Sequence, residues 1–271
     1  GELSLNLTGR KAWIQGLSFR PSDRLSLNMV CRHYDPGFVS FHGKGLFSSS
    51  SGDNSEGLFG NFTFEAAKHL FLSAGVDVKV HPWLRYRCSA PSYAMSSEVR
   101  LRYLPSEKYS FEAVYSQRQS MTDHRESTGI KKQYDSQATL FKVSFRYMPS
   151  DNLTLTSRID HKYVSPSGSA GIIMLQDVSV RFKAFPATVW FRHCIFRTGD
   201  WDSRIYAYEN DLVHNFSIPA LWGKGSRSCI MVSVKPSGFS DLRIKFAFGD
   251  LTGPEGLKET SELKIQARVR F

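Results

Sequence analysis

The amino-acid sequence predicts an all-β protein: an antiparallel, up-and-down transmembrane β-barrel of about fourteen strands. Apolar and polar residues alternate over segments that are long enough to cross a bilayer. Tight turns and long joints follow one another in alternation along the chain. Aromatic residues make up 13% of the sequence, with 20 Phe and 11 Tyr, which suits strands and the aromatic girdles of membrane barrels.

The alternation has a period of two. In residues 141–147, Phe, Val, Phe and Tyr alternate with Lys, Ser and Arg, and in residues 263–271 Leu, Ile, Ala, Val and Phe alternate with Lys, Gln and two Arg. A period of two gives a strand one apolar and one polar face. The runs cover about nine to twelve residues, whereas strands of globular proteins average about five or six. We therefore favour a transmembrane barrel over a soluble sandwich.

Tight turns join the runs in pairs. Four of them share the dipeptide Pro-Ser, and they are "FRPSDRLSL" from Phe19, "YLPSEKYSF" from Tyr103, "YMPSDNLTL" from Tyr147 and "KPSGFSDLRI" from Lys235. Two shorter joints, "EAAKHL" from Glu65 and "KAFPAT" from Lys183, occupy the same place in the pattern. Pro followed by Ser, Asp, Asn or Gly is typical of tight turns.

The other joints are long and rich in Gly, Ser, Asp and Asn. They cover roughly residues 35–56, 82–96, 121–134, 198–226 and 250–260. About thirteen alternating runs can be counted, together with a partial run in residues 2–8. Since bacterial single-chain barrels use even strand numbers, fourteen is the natural count. We interpret residues 1–271 as one barrel domain.

Basic residues dominate the predicted interior face, in a chain whose formal net charge is +10. The candidate interior bases are Lys142, Arg146, Arg158, Lys162, Arg181, Arg192, Arg243 and Lys245. An open interior with these charges would favour anions. In a filled interior, the bases would pair with Asp160, Asp177 and the long joint Asp202–Arg227. We favour the filled interior, because the Tyr, Phe, Ile, Leu and Trp residues of that joint give it enough apolar surface to pack.

Aromatic residues near strand ends are candidates for the membrane interface. Trp83, Tyr86 and Trp222 are assigned to the interfacial belt, where Trp and Tyr are enriched. In the alternative interpretation, Trp83 and Tyr86 stack on bases or sugars while Arg85 and Arg87 bind phosphates. We favour the belt.

Catalytic and metal-binding patterns are missing from the sequence. It has no G-x-S-x-G, H-E-x-x-H, P-loop or G-x-G-x-x-G motif, and Asp123-His124 is interpreted as solvated surface. The cysteines, which are Cys31, Cys88, Cys194 and Cys229, form no C-x-x-C motif and allow three disulfide pairings. We therefore expect no enzyme activity, no metal and no cofactor.

Four segments resemble the carboxyl-terminal region of a Bacteroidota outer-membrane family whose members carry a helix-hairpin-helix module ahead of a large barrel. They are "LSFRPSDRLSL" from Leu17, "HPWLRYRCSAPSYA" from His81, "DSRIYAYENDLVHNFSIPALWGKGSR" from Asp202 and "ELKIQARVRF" from Glu262. Together they tie residues 11–271 to this family. In addition, Phe271 with Val269 on the final strand resembles the targeting signal of bacterial outer-membrane proteins.

The resemblance implies a place in the bacterial outer membrane, with the carboxyl terminus at the periplasm and the long loops outside. It also implies that this chain is the carboxyl-terminal part of a longer barrel protein with more strands, whose amino-terminal part carries the module able to bind DNA. We expect a non-enzymatic structural or scaffolding subunit of an envelope assembly, for transport or outer-membrane biogenesis. The alternative is a conduit or binding protein for anionic solutes or DNA. The expected partners are the lipid bilayer, lipopolysaccharide and other outer-membrane proteins, with nucleic acid bound only through the absent module.

Overall fold

The computed structural model describes residues 1–39, 54–125, 131–253 and 256–269. In these residues the regular secondary structure consists of sixteen β-strands. No helix among them is long and apolar enough to cross a membrane. Phe271, the predicted targeting residue, lies outside the described residues.

The strand bounds agree with most of the predicted alternating runs and joints. The strands are β1 (Glu2–Leu5), β2 (Lys11–Ser22), β3 (Leu25–Tyr34), β4 (Ser55–Ala67), β5 (Leu70–His81), β6 (Ser92–Ser106), β7 (Tyr109–Arg125), β8 (Lys131–Ser150), β9 (Leu153–Ser165), β10 (Ser169–Arg181), β11 (Ala187–Thr198), β12 (Ile205–Tyr206), β13 (Ala220–Leu221), β14 (Lys224–Ser237), β15 (Ser240–Gly253) and β16 (Gly256–Val269).

Fourteen of the strands in the described part of the chain form one antiparallel sheet, in the order β1 to β11 and then β14, β15 and β16. Every strand is hydrogen-bonded to its neighbour along the chain, apart from the separate pair β12–β13 that lies between β11 and β14. The predicted up-and-down sheet of about fourteen strands is confirmed. Several strands exceed the predicted length, since β7 has 17 residues and β8 has 20.

The Pro-Ser segments form tight hairpins, as predicted. Between β2 and β3 the ladder ends at the pair Ser22 and Leu25, and between β14 and β15 it ends at Ser237 and Ser240. In both hairpins the register shifts in the few residues before the turn. The proline of the Pro-Ser dipeptide stands there, and proline has no N–H to give to a ladder, so these are the places where a bulge costs least.

Two of the predicted long joints are wrong. The β15–β16 ladder continues to the pair Gly253 and Gly256, so most of residues 250–260 belong to strands. Most of residues 121–134 likewise belong to β7 and β8. The polar residues of these segments suggested loops, but the hydrogen bonds of a ladder join backbone groups and do not depend on side-chain polarity.

The chain divides into two compact units. Unit 1 comprises Gly1–Leu101 and Val114–Thr139, and unit 2 comprises Arg102–Ala113 and Leu140–Phe271. In unit 1, Asp77 lies between two cations, 2.5 Å from Arg32 Nη2 and 3.0 Å from Lys79 Nζ.

In unit 2 the burial pattern is the reverse of that of a soluble protein. The apolar side chains of Phe141, Val143 and Ile159 are 47%, 40% and 45% exposed, whereas Asp160 and Lys245 are completely buried. Apolar residues therefore form the outward surface of this sheet, and charged residues lie on the covered face. We call these the apolar face and the polar face.

Candidate functional site: a strap on the polar face of unit 2

A segment between β11 and β14 covers the polar face of unit 2, and we call residues 199–223 the strap. The strap is a hairpin in which Ile205 pairs with Leu221 and Tyr206 with Ala220. Its side chains alternate along the first arm: Ile205 and Ala207 are buried, whereas Tyr206 is exposed. The buried residues of the strap form a hydrophobic cluster with residues of the sheet, and the cluster consists of Ile173, Leu175, Cys194, Phe196, Ile205, Ala207 and Leu221.

The strap begins in very close contact with β10. A Cβ atom added to Gly171 would lie 2.4 Å from the carbonyl oxygen of Ser203, so only glycine fits at this position. The Ser169 hydroxyl donates to Ser203 Oγ at 2.8 Å. On β9, Lys162 Nζ donates to the carbonyl oxygens of Asp202 and Arg204 at 2.6 and 3.1 Å. These contacts fix the first turn of the strap against two strands.

The strap ends on a glycine with left-handed backbone. Gly223 has a φ of 78°, a conformation that glycine adopts without the steric cost of a Cβ. The Gly223 N–H donates to Thr198 Oγ1 at 2.8 Å, and the Thr198 N–H donates to the Gly223 carbonyl at 2.7 Å. The last residue of the strap is therefore bonded to the end of β11, the strand from which the strap begins.

The middle of the strap carries two carboxylates that meet three cations of the sheet. Glu209 accepts from Arg227 Nε at 2.5 Å and from Arg227 Nη2 at 3.0 Å. Lys245 Nζ lies 3.2 Å from Glu209 and 3.4 Å from Asp211, within ion-pair distance of both but without an aligned hydrogen bond to either. Lys264 Nζ donates to Asp211 at 3.0 Å. The Lys245 side chain is 0% exposed, and those of Glu209 and Asp211 are each 2% exposed.

Further hydrogen bonds extend the attachment to the neighbouring strands. The Val213 N–H donates to Gln266 Oε1 at 2.8 Å, and Gln266 Nε2 donates back to the Val213 carbonyl at 3.2 Å. Arg192 donates to the Tyr208 carbonyl and is held in place by Asp177, whose oxygens lie 2.5 and 2.6 Å from its guanidinium. The strap is thus bonded to β9, β10, β11, β14, β15 and β16.

The pKa values of two strap carboxylates, Glu209 and Asp211, are held below their usual ranges. Burial raises the pKa of Asp211, but the Leu212 N–H and Lys264, together with the charge of Lys245, outweigh burial and hold the pKa below its usual range. Burial likewise raises the pKa of Glu209, and Arg227 and Lys245 lower it further than burial raises it. The attraction between strap and sheet is therefore at full strength near pH 7.

The structure brings together some of the predicted interior bases and leaves others apart. Lys162, Arg192 and Lys245 contact the strap. Arg158 pairs with Asp160, and Arg243 pairs with Asp241 at 3.2 Å. Arg146 and Arg181 line cavities, and in the described part of the chain their side chains have no acidic partner. Lys142 is half-buried on β8.

Two residues at the centre of the network, Glu209 and Asp211, were not singled out from the sequence. The signal that could have identified them is the stretch "YENDLVH" from Tyr208, where two acids occur within an apolar part of the longest joint. Acids in such a place need cationic partners, because an unpaired buried charge is costly.

Two cavities adjoin the strap. The strap cavity has a volume of about 310 Å³ and is lined by Arg146, Asp177, Arg192 and Glu209, among others. The turn cavity has a volume of about 620 Å³ and reaches the tight turns at the strand ends. Its lining includes Arg181, Trp190, Tyr208, Lys235 and Arg243.

The predicted interfacial aromatics occupy different surroundings. Trp83 and Tyr86 follow β5 and are strongly exposed. Asn54 holds this loop, because its side chain accepts from the Trp83 N–H at 2.8 Å and donates to the Trp83 carbonyl at 2.7 Å. Trp222 is half-buried, with its ring 5.6 Å from that of Trp201. Their assignment to a membrane belt stays a prediction.

The remaining predicted residues are Val269 and the four cysteines. Val269 is exposed near the end of β16, opposite Ser240 on β15. In the described residues the four cysteines are free thiols, so none of the three pairings is formed. Across the same residues, no group of three His, Cys, Asp or Glu side chains is placed to hold a metal ion.

Comparisons with known proteins identify solved structures that have a similar fold. No protein-family model matches the sequence. No curated protein matches it either. Among solved structures, a mutant of the ferric enterobactin receptor PfeA from Pseudomonas aeruginosa matches with a TM-score of 0.56 at 8% identity, over 90% of this chain and 41% of the receptor. The siderophore receptor PirA from Acinetobacter baumannii matches with a TM-score of 0.52 at 7% identity, over 96% of this chain and 48% of the receptor.

A third structure, the CymD monoaromatic hydrocarbon channel, is similar over 100% of this chain and 85% of the channel, with 10% identity and a TM-score of 0.39, which is too low to support an argument. The chain spans less than half the length of the two receptors. At sequence identities of 7% and 8%, the similarity shows a common fold and nothing about function. The chain has the fold of an outer-membrane β-barrel, in agreement with its antiparallel up-and-down sheet of fourteen strands in the described residues.

Proposed function

We propose that the protein is a non-enzymatic outer-membrane β-barrel that serves as a structural or scaffolding subunit of an envelope assembly, for transport or for outer-membrane biogenesis. The strap carries this proposal. It covers the polar face of six strands, and its two buried carboxylates form ion pairs with Arg227, Lys245 and Lys264. Bases that would attract anions in an open interior are here used to hold a segment of the chain. In this proposal the strap keeps the part of the interior that it covers closed.

The setting of this proposal is the bacterial outer membrane, with the carboxyl terminus at the periplasm and the long loops outside. The exposed apolar face of the sheet supports a lipid environment, and lipopolysaccharide and other outer-membrane proteins are the partners. The sequence segments described above support membership of the Bacteroidota family with the helix-hairpin-helix module. Any binding of nucleic acid would use that module.

A second candidate function is a conduit or binding protein for anionic solutes or DNA. Two basic residues on the cavity walls favour it, because Arg146 lines the strap cavity, Arg181 lines the turn cavity, and neither side chain has an acidic partner among the described residues. Cationic walls raise the local concentration of anions in a narrow space. In this alternative the strap would constrict the path or move aside.

Conductance across planar bilayers separates the two candidates. We expect the purified wild-type protein to give no steady conductance. Replacing both strap carboxylates, with Glu209→Gln and Asp211→Asn, removes both acids that lie beside the buried Lys245 and leaves Arg227 and Lys264 with Glu262 as their acid. The change should loosen the strap, so that an anion-selective current appears. The matched control is Asp202→Asn, which removes an acid from the same strap at an exposed position that makes only a 3.9 Å contact with Arg204.

A stable, anion-selective current from the wild-type protein would contradict the scaffold proposal and favour the conduit. A current in the Asp202→Asn control equal to that of the double variant would show that net charge, and not the buried network, is responsible. Purification from native membranes in mild detergent provides a second measurement. Outer-membrane proteins that copurify in fixed proportion support the scaffold, and a protein that always purifies alone contradicts it.

A further inference from the structure

The turn cavity combines cationic, hydroxyl and aromatic groups in a defined order. Its base is a row of four residues on the polar face, each paired in register with the next across adjacent strands. The row runs from Arg181 on β10 through Thr188 on β11 and Ser233 on β14 to Arg243 on β15. Neighbouring strands lie about 4.8 Å apart, so the two arginines stand roughly 14 Å from each other at the ends of the row, with the two hydroxyls between them.

The charge of this cavity is not balanced by its own acids. Arg243 is paired with Asp241, which also accepts from Arg268 and from the Ser233 hydroxyl. The Arg181 and Lys235 side chains also line the cavity, and in the residues that the structure describes neither has a hydrogen bond or an ion pair.

The two acids on the cavity wall reduce this excess without removing it. Asp151, at an exposed turn, offsets one of the two positive charges of Arg181 and Lys235, and Asp211 is bound to Lys245 and Lys264. The cavity therefore keeps an excess of positive charge.

An aromatic surface adjoins the cationic row. Trp190 lies two residues from Thr188 on β11, which places its side chain on the same face of the strand, and it is paired with Ser179 and Met231 in the next row. Tyr208 of the strap lines the cavity from the other side. A volume of about 620 Å³ is in the range of sites that hold small organic molecules. Trp and Tyr next to the cations Arg181 and Lys235 suit a molecule with a flat apolar part and an anionic part.

We propose that the turn cavity is a binding site for a small organic anion in which a phosphate or carboxylate is attached to a flat apolar ring. Arg181 and Lys235 bind the anionic group together with the hydroxyl of Thr188. Trp190 and Tyr208 contact the ring. This site deepens the second candidate function, on which it rests, by naming the class of anion that would be bound. It is also compatible with a scaffold, where the bound anion would stabilise a closed interior.

The test uses isothermal titration of the full chain in detergent with three probes: phenyl phosphate, inorganic phosphate and benzyl alcohol. Phenyl phosphate should bind at least about tenfold more tightly than either of the others, because it alone engages both the cations and the aromatic surface. Arg181→Gln and Lys235→Gln should each weaken its binding by about tenfold, and Arg181→Lys should restore part of the loss. Trp190→Leu should weaken phenyl phosphate and leave inorganic phosphate unchanged.

The matched control is Lys183→Gln, which removes a cation from the same turn as Arg181 at an exposed position that does not line the cavity. It should leave binding unchanged, and the unfolding midpoint of each variant, measured in the same detergent, should equal that of the wild type. No binding of phenyl phosphate, or equal binding of phenyl and inorganic phosphate, would overturn the proposal. So would a Lys183→Gln effect as large as that of Arg181→Gln, since that would reveal a diffuse charge effect.

Discussion

The Lys245 ammonium lies 3.2 Å from the Glu209 carboxylate, and both side chains are almost completely removed from solvent. Lys245 is a residue of β15, whereas Glu209 belongs to the strap, 36 positions earlier in the chain. Removing two charges from water costs several kcal/mol for each, and only close pairing offsets that cost. Because Arg227 and Asp211 complete the arrangement, each buried charge has an opposite charge beside it. The strap is therefore bound to the sheet by ion pairs whose buried charges are shielded from water.

Lys245→Met tests the importance of this buried cation. The change should lower the free energy of unfolding by about 3 kcal/mol, because Glu209 and Asp211 stay buried with one partner fewer. Lys264→Met is the matched control, since Lys264 contacts the same Asp211 but is 27% exposed, and it should cost about 1 kcal/mol. Urea unfolding of the purified protein in detergent provides the measurement. Equal losses in the two variants would show that burial of Lys245 does not matter.

Gly171→Ala tests the contact between β10 and the strap. The added methyl group would lie 2.4 Å from the Ser203 carbonyl oxygen, so the start of the strap must move away from the sheet. We expect trypsin to cleave after Arg204 many times faster than in the wild type, with the fragments identified by mass spectrometry. Gly238→Ala is the control, because nothing lies within 4 Å of a Cβ at that position. An unchanged cleavage rate in Gly171→Ala would contradict the close packing of the strap.

The attachment of the strap should depend on pH only in acid. The pKa values of Glu209 and Asp211 are lower in the folded protein than in the unfolded chain. Their contribution to stability is therefore present above the unfolded values, about 3.9 for Asp and 4.3 for Glu, and is lost as the pH falls through the lower, folded values. Quenching of the tryptophan fluorescence of the wild type should be constant from about pH 5 to 8 and increase below about pH 4. The same measurement on Trp201→Phe identifies the part of the change that comes from Trp201 in the strap. A transition between about pH 5 and 8 would contradict the assignment of the attachment to these two carboxylates.

Neighbouring residues on β8 test the assignment of the two faces. Val143 is 40% exposed on the apolar face, and Ser144 next to it points to the polar face. Val143→Arg should destabilise the inserted protein by about 2–4 kcal/mol, because it places a charge against lipid. Ser144→Arg should be tolerated. Folding into lipid vesicles, followed by the shift in gel mobility of unheated samples, distinguishes the two. Equal insertion of both variants would mean that the faces are wrongly assigned.

The sequence by itself determined the strands, the tight turns and the two faces. These features depend on neighbours along the chain: a period of two sets the side of each side chain, and Pro-Ser closes a hairpin locally. The same local patterns predicted an interior rich in bases and a long apolar joint that packs. Local composition was misleading where polar residues extend a ladder, as in residues 250–260, because backbone hydrogen bonds do not depend on side-chain polarity.

Only the tertiary structure decided which charges meet. Glu209 and Asp211 pair with Arg227, Lys245 and Lys264, which stand on three different strands and up to 53 positions away from their partners. The row from Arg181 to Arg243 likewise exists only because four strands take one register. A single sequence specifies the face on which a base lies, since that follows from alternation. It does not specify the partner, because ion pairs form through space between elements whose distance and register are fixed only when the sheet and the strap have packed together.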